Sequence, residues 1–295
     1  MSTQRLILAG GSGFPGQEFV EESRLNSVNA NTQSVTASTR ARRRLLSRQG
    51  EPLLMADWER VLMIHFQADA EALQRDVPFP LDLRDGRAYV SLVAFTMRGM
   101  RLRFGGGLGA WLCRPIGTHE FLNVRTYVRH GEESGIYFLA EWLPNLMCVW
   151  LGPVTFGLPY RWGRIQYNHI HESGEIHGNV RSRRDESCLS YSAKLGLREL
   201  FSVCPEDSLD DFLLERYTAF ISRNLGRAFF RVWHEPWKQI RISVSIEDDS
   251  LIANRWEWFS GATQVGASYS PGVRNVWMGW PHRIPGTAPP LSAIP

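Results

Sequence analysis

From about Leu53 to residue 285 the chain alternates short apolar runs with turn residues. "WERVLMIHFQ", "RAYVSLVAFTM", "FLNVRTYVR", "GIYFLAEW" and "RIQYNHIH" are rich in aromatic and β-branched side chains and are separated by Gly, Pro or Asp. Such side chains fit a pleated, half-buried surface, so these runs predict strands. Ser173 and Gly174 in "HESGEIHG" predict a hairpin turn. Helical patterns are fewer. "DAEALQRDV" starts on Asp and stops at Pro, and in "SLDDFLLERYTAFIS" the cap Ser208 is followed three positions on by Asp211. The pattern predicts a mainly β (α+β) fold, mostly antiparallel, with a few helices.

The first fifty residues differ in character. In "RLILAGGSGFPGQEF" an apolar run is followed by Gly10, Gly13 and Gly16 and a helix-like start. Glycines let the backbone approach a pyrophosphate closely, and the N–H groups of a helix N-terminus receive its charge. The stretch resembles the first turn of an NAD-dependent epimerase over residues 4–20, with "SVTASTR" the one candidate for a second strand, which would bring Arg40 to a phosphate. Beyond it Ser, Asn, Thr and Gln dominate, and the other strands and crossover helices that would complete the crevice have no counterpart. Residues 1–50 therefore read as an extension with a truncated Rossmann start, with "ARRRLLSRQGEP" as a solvated basic linker and no cofactor bound. Residues 51–285 form the β domain, and residues 286–295, Pro-rich, a flexible tail.

Composition narrows the function classes. With 43% hydrophobic and 21% charged residues the chain has material for a sizeable core, and a net charge of +3 over 295 residues does not call for a nucleic-acid partner. No window is long and apolar enough to cross a bilayer, so the expectation is a cytoplasmic protein without a membrane partner. Cys113, Cys148, Cys188 and Cys204 are widely spaced, as reduced, partly buried thiols would be. Only Lys194 and Lys238 are lysines among 33 basic residues, so amine nucleophiles are scarce and permanently charged anion binders plentiful. His169, His171 and His177 gather around the hairpin without a telling fourth ligand and read as exposed hairpin histidines, with no metal. His234 in "VWHEPW" reads as a turn histidine packed on tryptophan.

Several stretches taken in order, "DGRAYVSLVAFTMRGMR", "HEFLNVRTYV", "FGLPYRWGRI", "NVRSRR", "SLDDFLLERYTAF", "VWHEPW" and "YSPGV", resemble the uncharacterised YqjF-like family, whose fold is that of acetoacetate decarboxylase. The resemblance implies an antiparallel β barrel of the acetoacetate decarboxylase-like type. It also implies a mechanism against which this chain can be tested: a lysine amine forms a Schiff base with a β-keto acid, and a neighbouring lysine lowers its pKa. In that enzyme the lysines follow a Gly-aromatic-Pro turn; here "GLPYRW" puts Tyr160 and Arg161 at the matching positions. Neither can form a Schiff base at neutral pH. Glu120 in "THEFLNV" resembles the acidic residue of the decarboxylase pocket. Arg125, an odd number of residues from Glu120, faces the other side of the same strand and reads, with Arg183, as an inter-strand or surface partner.

These readings converge on a protein that binds a small carboxylate or oxo compound in a barrel pocket, contacted by Glu120, Tyr160 and Arg161, without a Schiff-base lysine. Two alternatives stay open: a lysine-independent lyase or hydratase acting on an oxo acid, and an accessory partner of an NAD-dependent epimerase.

Overall fold

The computed structural model describes residues 36–196, 200–223 and 226–285; the glycine motif at 10–16 and the Pro-rich tail lie outside the described residues. The strands are β1 (Leu54–Ala68), β2 (Ala88–Leu102), β3 (His119–His130), β4 (Glu133–Leu143), β5 (Tyr160–Ile170), β6 (Glu175–Ser182) and β7 (Cys188–Lys194). They continue with β8 (Ser202–Val203), β9 (Thr218–Arg223), β10 (Gly226–Trp233), β11 (Lys238–Arg241), β12 (Val244–Asp248), β13 (Thr263–Met278) and β14 (His282–Arg283).

β4, β3, β2, β1, β13, β10 and β9 pair in turn, and β9 pairs back onto β4, so these strands close into a ring. β5, β6, β7 and β12 leave the ring at β4 as a second sheet. β4 serves both. Its Ile136 and Tyr137 pair with β9 and its residues 141–143 with β5, each in parallel. The expected antiparallel barrel is therefore met in a coarser form: mainly β with few helices, but a mixed sheet and an uneven ring. The parallel step from β4 to β5 arises because a helix, Leu146–Thr155, carries the chain back between them, as a parallel connection requires.

Side chains alternate across each strand, which creates two cores. Leu62, Leu92, Leu122 and Val124 face outward into a core shared with the second sheet. Val61, Val93, Phe95 and Phe121 face the inside of the ring.

Four local readings change. The basic linker is a helix, Ala37–Leu46, with Ser38 and Leu45 buried; the Ser38 hydroxyl donates to the His234 carbonyl (2.7 Å), and the Arg42 guanidinium lies over Trp233 (5.2 Å). The helix capped by Ser208 stops at Leu214, because Thr218, Ala219, Phe220 and Ile221 join the sheet as β9 beside β10. Two helices, Gly106–Cys113 and Leu146–Thr155, were not signalled, since both are apolar on every side and show no helical period. His169 is buried rather than exposed, with Nδ1–H donating to the Arg60 carbonyl (2.8 Å) and Nε2 accepting from the Tyr191 hydroxyl (2.9 Å).

Candidate functional site

Register builds a polar wall inside the ring. Val93 pairs with Asn123, Asn123 with Glu141, and Glu141 with Tyr160, so these side chains stand side by side on four adjacent strands. Two residues along β3 from Asn123, Arg125 shares its face and pairs with Ser91, which pairs with His65. A bulge sets this wall. Arg125 opposes Phe138 rather than Leu139, so Leu139 and Ala140 both turn into the outer core and Phe138 and Glu141 both point inward.

The wall borders a cavity of about 90 Å³, room for several waters or one small molecule. Its other walls are rich in aromatic rings. Trp58 stacks on Trp237 (6.2 Å between centroids) and Phe95 on Phe121 (5.3 Å), and Phe230, Phe138, Met63, Met97 and Met278 also line the cavity.

Arg125 is the cavity's uncompensated cation. It is buried, and its Nη2 donates to the Leu213 carbonyl (3.1 Å) and meets Met63 Sδ at 3.9 Å, while Nε has no partner. Among the described residues no carboxylate comes within 4.0 Å of it. The other arginine at this cavity differs: Arg216 is paired with buried Asp82 at 2.8 Å and its guanidinium lies 4.1 Å over the Phe212 ring.

Glu141 is equally isolated. It is 4% exposed, its Oε1 has no hydrogen-bond partner, and burial pushes its carboxyl up to about 8. At neutral pH it carries a proton and can donate. Beside it the Tyr160 hydroxyl is pushed far above its ordinary range, by burial first and by Glu141 second. Asn123 Oδ1 is also unpartnered. His234 donates from Nδ1 to the Glu235 carbonyl (2.7 Å), and burial lowers it to about 4.

Behind Arg125 runs a chain of hydrogen bonds. Tyr127 Oη donates to the Leu213 carbonyl (2.9 Å), so Ser91 Oγ donates to Tyr127 (2.6 Å) and His65 Nδ1–H to Ser91 (2.7 Å). One carbonyl near the end of the helix Leu209–Leu214 thus holds both Tyr127 and Arg125. Burial lowers His65 to about 3 and leaves its Nε2 a lone-pair acceptor without a partner.

Of the three residues expected around a pocket, Tyr160 stands on the cavity wall and the other two do not. Glu120 lies one residue before inward-facing Phe121, hence on the outer side, in a shallow groove with Tyr167 and His177. Arg161 follows Tyr160 and faces away, its guanidinium 6.0 Å from the Trp142 ring; burial and the neighbouring Arg255 and Arg184 lower its pKa. Glu141 and Arg125 take the places expected of them. Two signals in the sequence pointed that way: Glu141 is the one acid in "FLAEWL", and Arg125 keeps the parity of Phe121, Asn123 and Tyr127. Lys194 and Lys238 are both exposed, and neither lines the cavity.

Known proteins share this architecture. The acetoacetate decarboxylase of Legionella pneumophila superposes with a TM-score of 0.57 at 12% identity, covering 81% of this chain and 89% of that one. The enduracididine biosynthesis enzyme MppR, in its complex with pyruvate, gives 0.53 at 12% identity, covering 80% and 92%. At such identities the likeness is one of fold. By sequence, the uncharacterized protein YqjF of Bacillus subtilis is 26% identical over 208 residues, 67% of this chain and 81% of its own length. The model of the uncharacterized conserved proteins DUF2071 matches residues 55–274, which span the ring and the second sheet, and the chain belongs to that family.

Proposed function

We propose that the ring acts as a barrel around a small carboxylic or oxo acid, whose carboxylate sits on Arg125 and whose second oxygen accepts from the protonated Glu141 or from Tyr160. The observation that carries this reading is Arg125, a buried guanidinium with no carboxylate partner in an aromatic cavity. An unpaired buried charge of this kind costs several kcal/mol, and an anionic ligand offsets that cost. A neutral Glu141 adds a donor without adding repulsion. That a protein of the same fold is known in complex with pyruvate supports the ligand class. Since the two lysines are exposed, the ligand is held by charge and hydrogen bonds rather than through an imine.

Calorimetric titration with pyruvate and acetoacetate tests it. The expected result is saturable binding to the full chain and none to Arg125→Met with its circular dichroism unchanged. Binding of equal strength in Arg125→Met, or no binding of either acid at millimolar concentration, overturns the reading.

A further inference from the structure

The helices Gly106–Cys113 (GGLGAWLC) and Leu146–Thr155 (LMCVWLGPVT) contain no charged residue. Helices apolar on every side belong in a core or a bilayer, yet these lie at the surface. Leu108, Trp111 and Leu112, with Phe104 just before them, are each more than half exposed. On the second helix Trp150 is 83% and Val154 78% exposed, with Leu146 and Met147 about half exposed. The turn Arg114–Ile116, which follows the first helix directly, ties the two helices together. Asn145 caps the second, accepting from Cys148 N (3.1 Å), while its Nδ2 donates to the Pro115 carbonyl (2.7 Å) at the end of the first. Monomers rarely leave contiguous apolar patches beyond a few hundred Å² uncovered, and larger ones mark interaction sites.

Charge selects the occupant. Residues 98–119 hold Arg98, Arg101, Arg103 and Arg114 and no acid, and residues 143–159 hold no charge at all. Arg98 is paired with Glu59. Arg101 is held by Asn275 and the Gly99 carbonyl and Arg103 by the Glu51 carbonyl, and among the described residues none of Arg101, Arg103 and Arg114 has a carboxylate within 4.0 Å. A second copy laid on the patch brings a like-charged rim, which opposes association. Exposed Trp and Leu beside unneutralised arginines instead match a surface that sits at the headgroup level of an anionic membrane. We propose that this two-helix patch docks the protein on the surface of an anionic bilayer. It does so without crossing: no helix among the described residues is long and apolar enough to span one.

Co-sedimentation of the full chain with vesicles of phosphatidylcholine alone, and of phosphatidylcholine with one-third phosphatidylglycerol, tests the assignment. The anionic vesicles are expected to bind on the order of tenfold more tightly or better, and raising salt to about 0.5 M is expected to release the protein. The doubly substituted Trp150→Ser, Val154→Ser, with unchanged circular dichroism, is expected to lose the binding. Failure to bind anionic vesicles, or equal binding to both kinds, overturns the proposal. So does a micromolar dimer, seen by sedimentation equilibrium, that the same double substitution dissolves; that result gives the patch to a second copy. Pyruvate binding in the cavity is independent of every one of these outcomes.

Discussion

The inside of the ring gathers unpartnered buried polar atoms around one cavity, whereas those of the core between the sheets, Trp142 Nε1, Trp258 Nε1 and Tyr269 Oη, line no part of it. Between the sheets His169 has both ring nitrogens engaged, on the Arg60 carbonyl and the Tyr191 hydroxyl. Inside the ring Arg125 Nε, Asn123 Oδ1 and Glu141 Oε1 have no partner, and all three border one cavity. Buried polar atoms are nearly always bonded. A completed network is part of the scaffold; partnerless atoms gathered on one wall mark where a molecule from outside completes the set.

The strongest break of this comparison is Arg125→Met. We expect it to weaken oxo-acid binding by roughly 100-fold or more, a loss of about 3 kcal/mol, with a shift in Tm of only a few degrees; calorimetry and a thermal melt read the two quantities. A loss of stability without a loss of binding would move Arg125 to the scaffold side. His169→Leu is the mirror test. It strands the Tyr191 hydroxyl and the Arg60 carbonyl, so we expect a loss of about 2–3 kcal/mol in urea unfolding and unchanged ligand affinity.

pH sharpens the contrast further. Glu141 titrates at about 8 when folded, above its ordinary 4.5, so between those values the folded chain holds a proton that the unfolded chain has released. Stability conferred by protonated Glu141 is full below about 4.5 and is lost as pH rises toward 8, by at most about 1.4 kcal/mol per pH unit. Glu141→Gln is expected to flatten that slope in unfolding curves recorded from pH 5 to 8. His65, His234 and His169 act with the opposite sign. Their folded values of about 3, 4 and 4 lie below the ordinary 6.5, so stability falls as pH drops from 6.5 toward 4, and Glu141→Gln should leave this acid limb unchanged. The smallest effect is expected at the lysines. Pyruvate with borohydride should leave no adduct by mass spectrometry on the native chain, and Lys194→Arg with Lys238→Arg should bind pyruvate as the native chain does.

Strands were legible because alternation is a local property. "RAYVSLVAFTM" lies within β2 from its second residue on, and "FLNVRTYVR" and "GIYFLAEW" lie within β3 and β4. The cap at Asp69 was also legible, and its side chain accepts from Ala72 N (2.8 Å). Facing was harder. Alternation shows that Glu120 and Arg125 oppose each other, but which of them turns into the ring depends on where the second sheet packs, and that is set by β5 to β7 far along the chain. The bulge at Leu139 is hidden for the same reason: a shift of one residue leaves no mark in an apolar run. The helix Leu146–Thr155 was missed because both its faces are apolar, one against Tyr160 and one outward. Gly152 lets that inner contact form, since a Cβ there would stand 2.2 Å from the Tyr160 ring.

The pairing of β1 with β13 also has a consequence in time. β1 is the first strand of the ring to be made, and its partner from Thr263 to Met278 follows about 200 residues later, roughly 10–40 s at ordinary synthesis rates. β2, β3 and β4 can assemble on β1 meanwhile as a meander, because each pairs with its neighbour in the chain. Through that interval the inner face of the meander stays open, and Arg125, Asn123 and Glu141 remain in water. Their desolvation falls at the last step, when β13 arrives, so the slow non-local closure and the burial of the cavity's charge are one event.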